Sequence, residues 1–135
     1  MFSRLAVYGY CAALIGFLPV TGAAADSPAQ PQGMWQGLIQ QANSDVVMRL
    51  SFASTSVRAH FDEPFSCDVT ARFLRADGDT LFYRFGPSMN GGRFCDGVMS
   101  RDLRVTPATT ERAMTITFDT PRATWNGRLR PAPSP

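Results

Sequence analysis

The stretch that decides the fold runs from Cys67 to Cys95, CDVTARFLRADGDTLFYRFGPSMNGGRFC. Its first part alternates, with Cys67, Val69, Ala71 and Phe73 on one side and Asp68, Thr70 and Arg72 on the other. That period of two is the mark of a half-buried strand. Asp77-Gly78-Asp79 supplies the chemistry of a tight hairpin, since Asp-Gly tolerates positive φ, and Leu81 to Phe85 reads as the returning strand. Gly86 to Gly92 (GPSMNGG) reads as a seven-residue loop in which Asn90-Gly91 is able to close a second hairpin. The chain is expected to re-enter the sheet near Phe94 and Cys95 and to run on through Val98, Met99, Leu103 and Val105.

Working outward, the same alternation recurs. Trp35, Gly37 and Ile39 oppose Gln36, Leu38 and Gln40; Val46, Met48, Leu50 and Phe52 oppose Val47, Arg49 and Ser51. Val57, Ala59 and Phe61 point one way while Arg58, His60 and Asp62 point the other. Beyond the break at Pro107 to Glu111, Met114, Ile116 and Phe118 form another face, and after Pro121 Ala123, Trp125, Gly127 and Leu129 form the last. No helical pattern of comparable length interrupts them. About eight short strands joined by turns predict an all-β antiparallel domain, a small closed or partly open barrel, with a β-sandwich as the alternative. The barrel is favoured because small residues (Gly37, Ala59, Ala71, Gly127) share the inward faces with Trp, Phe and Met, which is how a narrow interior is filled. Closure between first and last strands would bring Trp35 near Trp125.

The flanks are different in kind. Residues 1–25 carry Arg4, an apolar run from Leu5 through Leu18, and the small-residue end Ala23-Ala24-Ala25. They read as a signal peptide cut between Ala25 and Asp26, with an uncleaved anchor as the runner-up. Cys11 falls within the apolar run and is expected to leave with it. Residues 26–33 (DSPAQPQG) form a Pro-rich leader expected to be flexible, 34–130 the folded domain, and 131–135 (PAPSP) a disordered tail short of backbone donors. The expected location is therefore the periplasm or the extracellular space, with no stable membrane span after cleavage.

Composition narrows the function classes. The chain has 135 residues, 44% of them apolar, enough for one core. Lysine is absent, so all 13 basic residues are Arg, interspersed with acidic ones to a net charge of only +2. Nucleic-acid binding, which calls for a clustered basic face, is not expected. Cys67 and Cys95 are an even pair in a chain read as exported, and a disulfide between them is expected. In the chain-entropy model it stabilises by roughly 3 to 4 kcal/mol. No Cys-x-x-Cys is present for redox exchange, and two thiols with one distant His make no zinc site, so neither metal nor cofactor is expected.

The candidate chemical residues are few. His60 is the only histidine, with Arg58 and Asp62 on its strand face and Asp62 or Glu63 placed to orient an imidazole. No G-x-S-x-G elbow marks a nucleophile beside it, and a solvated surface histidine is the simpler reading. Asp77-Gly78-Asp79 lacks the further donors and distal Glu of a calcium loop. Nothing in the sequence places Glu63, Asp96 and Asp102 at a glycosidase spacing. The loop after the hairpin is the better candidate: Met89 and Asn90, extended by Arg93 and Phe94, offer an exposed cation and aromatic of the kind enriched at interface hot spots.

In architecture the expected barrel with one disulfide resembles the small periplasmic lysozyme inhibitors, and W-x-G at Trp35 to Gly37 resembles the G-x-W of calycin barrels in reverse order. The Ser-Gly-x-x-Tyr loop and lysine of such inhibitors are absent, so the resemblance assigns no residue a role. The function expected is an exported, non-enzymatic binding module engaging or inhibiting a protein partner through Met89, Asn90, Arg93 and Phe94. A carrier of a small apolar ligand inside the barrel is the alternative, and an enzyme using His60 the third.

Overall fold

The structure, a computed structural model, describes residues 9, 15–17 and 30–133. The expected signal peptide, save those four positions, lies outside the described residues, as do residues 26–29 of the leader and the last two of the tail. Eight strands form one antiparallel sheet: β1 (Gly33–Gln41), β2 (Ser44–Phe52), β3 (Ser56–Phe61), β4 (Cys67–Asp77), β5 (Thr80–Ser88), β6 (Asp102–Pro107), β7 (Met114–Asp119) and β8 (Thr124–Pro131). Each pairs with the next in sequence, and β8 returns to β1 to close the barrel, which leaves no free sheet edge.

The inward faces are those the alternation selects. Met48 opposes Phe61, Leu50 opposes Ala59, and Phe52 opposes Val57 across β2 and β3. Tyr83 opposes Leu103, and Ile116 opposes Gly127, farther round. Gly127 apart, these residues join one cluster with Ile39, Val69, Phe85, Phe118 and Leu129, none more than 7% exposed, so the barrel interior is occupied by its own residues. No polar or charged residue is buried among them.

Closure depends on glycine at the seam. A Cβ placed on Gly37 would lie 2.1 Å from the Arg128 carbonyl oxygen, and one on Gly127 would lie 2.6 Å from both Ile39 Cγ2 and the Leu38 carbonyl oxygen. The first and last strands approach this closely because neither glycine has a side chain there. The antiparallel register sets Trp35 opposite Pro131 and Ile39 opposite Gly127. This corrects the expected meeting of the tryptophans: Trp35 pairs at the end of β8 and Trp125 stands at its start, some 20 Å away along the strands at the usual rise.

The hairpin at Gly78-Asp79 forms as expected, with Asp77 opposite Thr80 and Gly78 at φ 59°. Two irregularities bend this longest pair. One extra residue on β4, Leu74, separates the Phe73–Tyr83 and Arg75–Phe82 pairings, and β5 carries another around Gly86-Pro87, between the pairings Ala71–Phe85 and Val69–Ser88. Pro87, lacking an N–H to donate, sits where the ladder is already interrupted.

The expectation after β5 needs correction. Gly86 to Ser88 belong to the strand, the loop shortens to residues 89–92, and the chain then forms α1 (Arg93–Val98) in place of a strand through Phe94, Cys95, Val98 and Met99. Asn90-Gly91 therefore closes no hairpin. Gly91 and Gly92, at φ 74° and 108°, turn the chain into the helix. Six residues are too few to hold a helix by themselves. Here Cys95 and Val98 are fully buried, Phe94 packs on the core, and Arg101 Nε donates to the Gly97 carbonyl at the open C-terminal end. Met99, expected in the sheet, is 48% exposed.

The disulfide joins Cys67 at the start of β4 to Cys95 in α1, with Cα atoms 6.2 Å apart. It ties the helix onto one mouth of the barrel. The opposite mouth receives the N-terminal strand and the residues before it: Trp35 Nε1 donates to the Gln32 carbonyl at 2.9 Å, and the Tyr83 hydroxyl reaches Gln30 Oε1 at 3.4 Å.

Candidate functional site

Three segments meet at the mouth that α1 covers. The β3–β4 loop contributes Phe65, whose amide donates to the Asp62 carbonyl at 3.1 Å. The helix contributes Arg93, Phe94 and Gly97. The β7–β8 turn contributes Thr120, Pro121 and Arg122, and is held by Thr120 Oγ1, which accepts from the amide of Ala123 at 3.1 Å and donates to its carbonyl.

Aromatic rings make the floor. Phe65 and Phe94 stack with centroids 3.8 Å apart and planes 6° from parallel. Trp125 presents its plane edge-on to both, at 5.8 and 5.6 Å, and Phe61 meets Phe94 edge-to-face at 4.8 Å. Trp125 and Phe61 are buried, whereas Phe65 and Phe94 are half-buried and face outward. Between this stack and the β7–β8 turn lies an open, mostly apolar cleft of about 510 Å³. Gly97 keeps it open at one side, since a Cβ there would already touch Pro121 Cδ at 3.5 Å.

Two arginines border the cleft, Arg93 from the helix and Arg122 from the turn, and no Asp or Glu among the described residues lines it. Six other arginines (Arg49, Arg58, Arg84, Arg104, Arg128 and Arg130) have carboxylate partners. Arg93 and Arg122 have none among the described residues. Both are exposed.

The four residues expected to form a binding surface are thus divided. Arg93 and Phe94 line the cleft. Met89 and Asn90 instead pack back against β4: the Met89 amide donates to the Asp68 carbonyl at 2.9 Å, Thr70 Oγ1 meets Met89 Sδ at 3.3 Å, and Asn90 Oδ1 accepts from the Asp68 amide at 2.9 Å. Asn90 fixes the loop through its side chain, while Met89 remains 52% exposed. Phe65, Pro121 and Arg122 were missed by sequence reasoning. Each lies in a short connection with no periodic signal, and only the closure of the barrel brings β7–β8 beside α1.

His60 occupies a different face, on the outer side of β3. Its Nδ1 lies 2.9 Å from Asp68 Oδ1 and its Nε2 3.2 Å from Asp62 Oδ1, and Arg49 and Arg58 reach the same two carboxylates. Asp62, expected with Glu63 as an orienting carboxylate, lies near Nε2, while the ring's hydrogen bond is to Asp68 on the neighbouring strand. Each ring nitrogen thus has a carboxylate oxygen within 3.2 Å. Those carboxylates sit at opposite nitrogens and do not converge on one point, and no cluster of three metal-binding side chains occurs among the described residues. Asp102, considered earlier as a paired carboxylate, is instead held by Arg84 at 2.9 Å.

Compared with protein-family models, with curated proteins and with solved structures, the chain has no match. Among the described residues no helix is long and apolar enough to cross a membrane.

Proposed function

We propose that the protein is an exported, non-enzymatic binding module that engages or inhibits a protein partner in the periplasm or outside the cell, through the barrel mouth covered by α1. The observation that carries this reading is the Phe65–Phe94 stack: two half-buried aromatic rings lie parallel on a covalently tied platform and line an open cleft. Aromatic and Arg side chains on a rigid support are the composition of interface hot spots. Export is supported by the signal-like N-terminus and by the disulfide, which persists in oxidising compartments. The interior carrier reading is less favoured because Met48, Leu50, Phe61 and Tyr83 already occupy the space a ligand would need. Catalysis through His60 is less favoured because carboxylates flank both its nitrogens and no nucleophile stands beside it in the contacts of the described residues.

The test compares capture from envelope and culture-medium extracts by the purified protein and by an Arg93→Ala, Phe94→Ala double variant whose near-UV circular dichroism confirms an intact fold. A protein retained by the first and lost by the second supports the reading. Equal capture by both would move the site elsewhere.

A further inference from the structure

The charge pattern at the mouth specifies the chemistry of what docks there. Resting on the binding-module reading, we infer that the cleft takes an exposed segment of the partner in which an aromatic side chain stands next to a carboxylate. The apolar part of the argument is the shape and lining of the cleft. Its floor is the Phe65–Phe94 stack with Trp125 edge-on behind it, and a volume of about 510 Å³ between helix and turn is ample for one aromatic side chain to enter against those rings. The polar part is Arg93 and Arg122. They stand on two separate elements at the rim of one cleft, without a carboxylate partner among the described residues, whereas Arg49, Arg58, Arg84, Arg104, Arg128 and Arg130 are paired and Arg72, Arg75, Arg101 and Arg112, likewise without carboxylate partners, lie outside the cleft. The guanidinium fork matches a carboxylate in two parallel hydrogen bonds. A cationic or uncharged aromatic segment would leave both groups unmatched beside a surface being desolvated, which costs free energy.

The experiment titrates the purified protein with three capped pentapeptides, Gly-Asp-Phe-Glu-Gly, Gly-Lys-Phe-Lys-Gly and Gly-Asp-Ala-Glu-Gly, and follows backbone amide shifts by heteronuclear NMR. The expected result is saturable movement of Arg93, Gly97, Arg122 and Ala123 with the first peptide, and binding weaker by about tenfold or more with the other two. An Arg93→Gln, Arg122→Gln variant should lose about tenfold in affinity for the first peptide with unchanged dispersion elsewhere, and added salt should weaken the wild-type interaction. Equal binding of the lysine peptide would overturn the inference. So would an absence of shifts at peptide concentrations of about 5 mM. Anionic phosphatidylglycerol vesicles that bind in an arginine-dependent way when no peptide does would also overturn it, as would self-association that buries the cleft in a second copy. The capture comparison is read separately. A partner lost with Arg93 and Phe94 while the acidic aromatic peptide fails to bind leaves the module reading standing and removes this one; capture indifferent to both residues removes the module reading itself.

Discussion

Phe65 and Phe94 lie with their rings 3.8 Å apart and nearly parallel, although one belongs to the loop leaving β3 and the other to α1. The contact locks two connections that share no backbone ladder. It gives the mouth of the barrel a fixed surface, which is what a binding site on loops requires if recognition is not to be offset by ordering entropy. Phe94 also meets Phe61, Phe118 and Trp125, whereas Phe65 meets only Phe94 and Trp125 among the ring pairs described. Truncation should therefore be unequal. Phe94→Ala is expected to cost about 2 to 3 kcal/mol and Phe65→Ala about 1 to 2, both below the fully buried range because each ring is half-exposed. A double-mutant cycle by urea unfolding should return a coupling of about 0.5 to 1.5 kcal/mol.

The disulfide makes a stronger demand. Cys67 is 1% exposed and Cys95 0%, and a Cβ on Gly92 would lie 3.1 Å from Cys67 Cβ, so the bond sits under the turn that starts the helix. The bridge closes a loop of 28 residues, for which the unfolded-chain entropy argument gives about 3 to 4 kcal/mol. Cys67→Ser with Cys95→Ser should lower the urea midpoint accordingly. Amide exchange should rise first in α1 and the loop before it, while β1, β2 and β8 keep their protection until global unfolding. Uniform acceleration across all eight strands would show the bond to be a global staple with no special hold on the helix.

How legible these features were differs by their physical origin. Side-chain alternation is a local property, so the inward residues of β2, β3 and β7 could be named from sequence, and small residues among large ones pointed to a barrel before its closure was seen. The disulfide followed from cysteine count. The helix did not, because its six residues owe their conformation to Cys67, Phe65 and the barrel mouth and carry no cap: Gly92 stands at the N-cap without a side-chain bond. Phe94, Cys95 and Val98 do fall at positions i, i+1 and i+4, one helical face, and that was the available signal. Arg122 had none, since only the folded chain sets it in the same cleft as Arg93. The misplacing of the tryptophans was an error of direction: in an antiparallel seam the start of the first strand meets the end of the last.

Two glycine substitutions should have opposite signs. Gly37→Ala puts a methyl group where the Arg128 carbonyl oxygen stands 2.1 Å away, on backbone that cannot yield without parting β1 from β8. The expected loss is about 3 kcal/mol, at the upper end for overpacking, together with faster amide exchange along the seam. Gly97→Ala meets only Pro121 Cδ at 3.5 Å, ordinary contact, and replaces a poor helix former with the best. It should raise stability by up to about 1 kcal/mol. Because Gly97 lines the cleft, the same methyl group should weaken binding of the acidic aromatic peptide while the melting temperature rises. Stability and binding would then move in opposite directions from one substitution, as expected for a residue kept small for access.

Alkaline titration isolates Tyr83. Its side chain is fully buried against Phe52 and Phe73, and burial pushes the phenol up from 10.0 to about 12. In the unfolded chain a tyrosine loses its proton near 10. Between those values the unfolded state has released a proton that the folded state still holds, so stability falls as pH rises. The contribution of the neutral phenol is complete below about pH 10 and is lost progressively towards pH 12. The window is unusually clean, since the chain has no lysine and Cys67 and Cys95 are bonded. In a chain beginning at Asp26, Tyr83 is also the only tyrosine, so near-ultraviolet tyrosinate absorbance reports on it alone. Absorbance should stay flat past the usual midpoint and rise together with the loss of near-UV circular dichroism. Tyr83→Phe should remove the alkaline slope in urea midpoints measured between about pH 9 and pH 11. A tyrosinate signal that develops near 10 while the fold persists would mean that solvent reaches the hydroxyl past Gln30.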